Sequence, residues 1–231
     1  FMCRFNADGS IDNTFGNNGT INLKTGDYAE FALGVEVDTL GNYLVTGHSE
    51  LPSIDPDSQL PRYESFIARI TKDGALDTTF GENGDGFVRF EAFVGDGCVN
   101  SQDASPVVDP DGQIFGTFYS FNHKNYSSRA YVYNLDENGK LKDSFADAGL
   151  LPINHSYGDD EIRTMSLALQ NDGKLLVSGY IYHSDGSASD IFISRISTDV
   201  EMPEQPNPEL PHYWKPDPSL YANNMTVIAT I

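Results

Sequence analysis

Three successive acids, Asp159, Asp160 and Glu161, are the densest group in the chain capable of acid–base chemistry. A glycoside hydrolase needs two carboxyl groups facing each other across a cleft. This segment therefore carries the one enzymatic reading of the sequence, a polysaccharide hydrolase or lyase; solvated charge on a surface loop is the other. The five histidines, His48, His123, His155, His183 and His212, include no short-spaced pair of the kind that holds a catalytic zinc. No Gly-x-Ser-x-Gly elbow, His-Glu-x-x-His segment or phosphate-cradling glycine loop is present. Asp8-Gly9, Asp73-Gly74 and Asn138-Gly139 offer oxygens at close spacing but lack the alternating ligands and terminal Glu of a calcium loop. They read as turns, with Asp or Asn capping and Gly supplying positive φ. Cys3 and Cys98 form neither a disulfide framework nor a metal-ligand spacing. No metal, no cofactor and no catalytic residue is expected.

The elements that position these groups repeat along the chain. Phe1-Met2-Cys3-Arg4-Phe5 returns as Phe66-Ile67-Ala68-Arg69-Ile70, Tyr131-Val132-Tyr133-Asn134-Leu135 and Phe192-Ile193-Ser194-Arg195-Ile196, at spacings of 65, 65 and 61 residues. The first three copies continue alike, so that Phe15, Phe80 and Phe145 again fall 65 apart. A second signature, an apolar run closed by a glycine turn, recurs at Val37 to Gly41, Val108 to Gly112 and Leu169 to Gly173. Each is hairpin grammar. Arg4 is matched eight residues on by Asp12 and Arg69 by Asp77, and in the third copy both change together, to Asn134 and Lys142. That joint change predicts an arginine–carboxylate pair between a strand and its following turn. Arg195 continues the arginine position, and the three phenylalanines are expected to fill the space between successive sheets. Cys3, Ala68 and Ser194 share a slot for a small residue, and Tyr133 breaks it for no reason visible in the sequence.

Four short strands every sixty-odd residues, with no sustained 3.6-residue apolar period, predict an all-β fold: a β-propeller-like array of four-stranded antiparallel blades. The strands group as blades over 20–71, 86–135 and 149–197, with 1–7 as the last strand of a preceding blade. The chain thus holds three complete blades plus one outer strand. The pattern Arg-Ile-x-x-Asp-Gly-x-Leu-Asp-x-x-Phe-Gly, at Arg69 to Gly81 and again from Arg4, resembles the delta-60 repeat of bacterial surface and secreted proteins. That resemblance covers about residues 1–199 and implies the propeller fold and an extracellular habit. It brings no catalytic motif and no defined ligand. Six prolines between residues 203 and 218 predict an extended linker over 200–219. The strand-like 220–231 is expected to open a further β-domain, as in modular surface chains that serve adhesion or act as lipoproteins of outer-membrane uptake systems.

Repeated turns fall at one end of such blades and unrepeated loops at the other, where binding specificity is usually written. The loop end offers Tyr28, Arg62, Tyr63, His123, Tyr126, His155, Tyr157, Asp159, Asp160, Tyr182 and His183, aromatic and charged groups suited to a glycan, peptide or protein ligand. The net charge of -20 argues against nucleic acid and anionic lipid as partners. No apolar run reaches the roughly 20 residues of a membrane helix. The reading is a non-catalytic binding module at the bacterial cell surface, within a larger complex.

Overall fold

The computed structural model describes residues 1–24, 29–52, 62–90, 98–101, 104–122, 127–153, 160–198 and 225–230. Every regular element among them is a strand: β1 (Met2–Cys3), β2 (Thr20–Ile21), β3 (Glu30–Val37), β4 (Tyr43–Leu51), β5 (Arg62–Ile70), β6 (Phe87–Phe90), β7 (Cys98–Ser101), β8 (Val107–Val108), β9 (Ile114–Asn122), β10 (Ser127–Leu135), β11 (Leu150–Ile153), β12 (Glu161–Leu169), β13 (Leu175–Tyr182), β14 (Asp190–Ile196) and β15 (Met225–Thr230). The fold is all-β, a propeller-like array of four-stranded antiparallel units. The units are β3-β4-β5-β6, then β7 and β8 beside β9-β10-β11, then β12-β13-β14-β15, with the ribbon β1-β2 ahead of them. A single parallel bridge, Tyr63 to Val99, joins the first two units into one continuous sheet.

The pairing regroups the strands by one place. The strand after each phenylalanine turn was expected to begin a new blade, yet Phe87–Phe90 lies antiparallel to β5 and Leu150–Ile153 to β10. Thr20–Ile21 likewise pairs with Met2–Cys3. The reason is local: the amide of Asp77 donates to the Arg69 carbonyl, and the amide of Arg69 to the Gly86 carbonyl. The turn is thereby folded back along the strand it leaves, and the chain emerges beside that strand. Met225–Thr230 follows the same plan. Instead of opening a separate sheet it pairs with β14 as the fourth strand of the last unit, Val227 facing Ser194 as Phe87 faces Ala68. The proline-rich residues before it lie outside the described residues.

The core sits between successive units, and the three phenylalanines mark it. Phe15 packs with Val45 and Ile70 of the next unit, Phe80 with Ile114 and Leu135, and Phe145 with Leu175 and Ile196; all three are buried. Tyr133 finds its explanation across the strand pair. Ala68 and Ser194 face Val45 and Val177, whereas Tyr133 faces Gly116. A Cβ on Gly116 would stand 2.1 Å from the Tyr133 hydroxyl oxygen, so the bulk gained on one strand is removed from the other. The ring then stacks on Phe90 at 4.5 Å between centroids.

Candidate functional site

The turn end is built from one device used twice. Arg4 Nε donates to Asp12 Oδ2 and Arg69 Nε to Asp77 Oδ2, each at 2.8 Å. Each guanidinium lies 4.7 Å from the centroid of the phenylalanine in its own turn, Phe15 or Phe80. Each also donates to a backbone carbonyl of the next unit's turn, that of Lys72 or Glu137. Beside it the Gly16 amide donates to the Asp73 carbonyl and the Gly81 amide to the Asn138 carbonyl, both at 2.8 Å. A charge-assisted pair, a cation–π contact and two bonds to the neighbouring turn thus fix one unit against the next. Burial works to raise the Asp77 pKa, but the Thr79 hydroxyl and amide and the Arg69 charge outweigh it and hold the carboxyl below its usual range. The Asp-Gly pairs are turns here: the Asp8 carboxylate accepts from the Ser10 amide and hydroxyl, and Gly9 has φ +83°.

The third copy shows why arginine and aspartate change together. Asn134 Nδ2 and Lys142 Nζ both turn to Gln113 Oε1 of their own unit. In the third unit the Asp-Gly turn that would receive an arginine is replaced in sequence by Asp199-Val200 and the proline-rich run. Arg195, lacking a following aspartate at that spacing, bonds Gln170 Oε1 at 2.6 Å and Asp172 Oδ2.

At the loop end the structure brings together part of the sequence-derived set. His183 stands between two carboxylates, Nδ1 at 2.8 Å from Asp160 Oδ2 and Nε2 at 3.1 Å from Asp190 Oδ2. The Ser184 amide donates to Asp160 Oδ1 at 2.7 Å. With an acceptor at each ring nitrogen the imidazolium is favoured. The hydrogen bond to Asp160, helped by that to Asp190, raises the His183 pKa above its ordinary value against a smaller opposing effect of burial. Asp160 moves the other way: burial works to raise it, and the Ser184 amide and His183 more than offset that. An ionised carboxylate so engaged does not supply a general acid at neutral pH.

Tyr182, Arg62 and Tyr63 lie in strands rather than loops, because β4 and β5 remain paired out to Leu51 and Arg62, and β13 out to Tyr182 opposite Glu161. Arg62 Nη1 donates to the Pro52 carbonyl at 3.2 Å. Tyr63 joins Phe31 and His48 in a ring cluster, with centroids 5.1 Å apart for His48 and Tyr63 and 4.8 Å for Phe31 and His48. Tyr28, His123, Tyr126, His155, Tyr157 and Asp159 fall outside the described residues. Sequence reasoning passed over Arg163, which bonds Glu161 and lies 5.1 Å from the Tyr119 ring centroid and 5.7 Å from that of Tyr182. It also passed over a periodic signal. His48, Tyr119 and Tyr180 each stand seven residues after a turn glycine, Gly41, Gly112 and Gly173, so each unit carries a ring at the same place in its second strand. Among the described residues no group of His, Cys, Asp and Glu is arranged to hold a metal ion, and no helix is long and apolar enough to cross a membrane.

The two clamped turns lie within stretches where the chain is similar to a known family. A family model described as a domain of unknown function (DUF5122), beta-propeller, matches residues 1–15, 61–80 and 170–199. The first two stretches end on Phe15 and Phe80, while the altered copy with Asn134 and Lys142 lies outside the match. No curated protein matches the chain.

Proposed function

We propose that this chain of β-propeller-type repeats is a non-catalytic extracellular binding module of a bacterial surface protein, its repeats being of the delta-60 kind. Its loop end takes a glycan or peptide ligand, within a larger complex for adhesion or nutrient uptake. The observation that supports this is the ring position shared by His48, Tyr119 and Tyr180, surrounded by groups that differ from unit to unit. The first unit sets Phe31 and Tyr63 around it; the third sets Arg163, Glu161 and Tyr182. In the first and third units the part-exposed rings of His48 and Tyr180, with their varied neighbours, suit stacking on a sugar or peptide face, whereas Tyr119 is buried between the second and third units. The chain's net charge of -20 favours neutral glycans or basic peptides over anionic polymers.

Glycan and peptide arrays probed with the whole chain test the reading. Tyr182→Ala and Phe31→Ala, both at exposed rings, should weaken binding of a captured ligand by about tenfold, the loss of one stacked ring, without lowering the thermal midpoint. Binding untouched by either change would overturn the site. Product formation abolished by Asp160→Ala would overturn the non-catalytic reading. Protease shaving of intact source cells tests the surface location.

A further inference from the structure

Asparagine stands directly before glycine at Asn18-Gly19, Asn83-Gly84 and Asn138-Gly139. Such a step is the one most open to attack by the following amide nitrogen on the asparagine side chain, because glycine has no Cβ to hinder it. In sequence the first two look like copies, Phe15-Gly16-Asn17-Asn18-Gly19 against Phe80-Gly81-Glu82-Asn83-Gly84. The structure matches them differently. The Arg4 amide donates to the Gly19 carbonyl and the Arg69 amide to the Gly86 carbonyl, each at 3.1 Å. A Cβ on Gly19 would stand 3.2 Å from the Asp12 carbonyl oxygen, and one on Gly86 3.1 Å from that of Asp77. Gly86 therefore takes the place of Gly19, and Asn83-Gly84 belongs to a turn extended by the two residues Asp85 and Gly86.

The extension leaves this step outside the frame that holds the other two. Gly19 is buried, its amide donates to the Phe15 carbonyl at 2.7 Å, and its Cβ position lies 2.1 Å from the Ile11 side chain. Gly139 is buried too, its amide donates to the Asp136 carbonyl at 3.0 Å, and the Phe80 ring stands against it. Asn83 and Gly84 are both exposed. Among the described residues no acceptor meets the Gly84 amide in hydrogen-bonding geometry, and the nearest atom to its Cβ position is the Thr78 carbonyl oxygen at 3.7 Å.

We propose that Asn83 is a site of spontaneous covalent modification, closing to a succinimide and opening to aspartate and isoaspartate, and that the two-residue extension selects it from the three Asn-Gly steps. The Gly84 nitrogen gives its proton to solvent base and forms a bond to Asn83 Cγ. The Cγ–Nδ2 bond breaks, and that nitrogen leaves as ammonia. Water then opens the ring: attack at Cγ gives aspartate, and attack at the backbone carbonyl carbon gives isoaspartate, whose main chain runs through Cγ. One water is consumed, one ammonia is released and one negative charge is gained. The Arg69 contacts to Asp77 and Gly86 lie on either side of the extension, so the product keeps the clamp.

Incubation of the intact chain in mildly alkaline buffer, followed by tandem mass spectrometry of tryptic peptides, tests this. Asn83 is the only asparagine between Lys72 and Arg89, so one peptide reports its conversion, and electron-transfer fragmentation separates aspartate from isoaspartate. In the folded chain Asn83 should convert at least about tenfold faster than Asn18 or Asn138, which react only through local opening. In guanidinium the three rates should converge. Equal rates in the folded chain, or conversion of Asn83 only after unfolding, would overturn the proposal. Deleting Asp85 and Gly86 brings Gly84 to the place that Gly19 holds in the first turn. In a folded deletion variant, conversion of Asn83 should slow by a similar factor; an unchanged rate there would show that the extension does not select the site.

Discussion

The two ends of the same sheets obey different rules. At the turn end, Arg4 and Arg69 make the same three contacts to an aspartate, a phenylalanine and the next unit's carbonyl, sixty-five residues apart. At the loop end no described contact recurs in this way: the shared ring of the second strand meets Phe31 and Tyr63 in one unit and Arg163 in another. Contacts that hold one unit to the next must be compatible with both neighbours, so they are copied with the unit. Groups facing outward from a fixed frame are free of that requirement. The frame and the recognition surface are therefore written in different residues, and substitutions should separate them.

The largest effect should come from Phe80→Ala. Removing a buried ring from between two units should cost about 3–5 kcal/mol, read as a fall in the denaturation midpoint with ligand binding lost only through unfolding. Arg69→Ala should follow, at roughly 3 kcal/mol, because it leaves the Asp77 carboxylate without its cation and the Glu137 carbonyl without a donor in a mostly buried setting. Arg4→Ala removes the same contacts at a more exposed position, 27% against 7% for the Arg69 side chain, and should cost clearly less. Equal losses for the two arginines would mean that burial does not grade the clamp.

Gly139 sharpens the comparison further. Its φ is +82°, and a Cβ there would stand 2.7 Å from the Phe80 ring. Gly9, the equivalent residue in the first turn, has the same backbone conformation but nothing within 4 Å of its Cβ position. Gly9→Ala should therefore cost about 1 kcal/mol for the left-handed backbone alone. Gly139→Ala should add an overpacking cost of about 1–3 kcal/mol. Thermal denaturation of the pair measures the inter-unit contact directly, since the backbone requirement cancels between them.

These expectations also mark what was legible in the sequence. The strands and the all-β class followed from spacing, because a contact between successive units leaves its residues at a fixed interval. The arginine–aspartate spacing was legible as a joint change; that the arginine also reaches the next unit was not, since a backbone carbonyl leaves no mark on residue types. Blade grouping was misread for a related reason. Alternation locates the strand Phe87–Phe90, but only the fold-back of the Asp77 turn decides which neighbour it joins. At the loop end, Asp160, Tyr182 and His183 could be selected by type and place. Asp190 and Arg163 could not, because no repeat position isolates them.

The loop end carries the smallest stability effect and a distinct signature in pH. The folded-state pKa of His183 is raised above its ordinary value of 6.5, so protonated His183 contributes stability that is fully present below that value and lost as pH rises through the folded pKa. Asp160 is depressed below 3.8, so its contribution is present above that value and lost as pH falls through its folded pKa. Between these limits a cation sits between two anions and ties the β13–β14 connection to the segment entering β12. Imidazole resonances followed from about pH 5 to about pH 9 should show His183 titrating above an unperturbed histidine. His183→Gln, which keeps hydrogen bonding without the charge, should remove the corresponding slope from stability against pH while leaving the turn-end clamp unaffected. If the slope persists in that variant, the charge is not what holds these two connections together, and the loop end owes its arrangement to the strands alone.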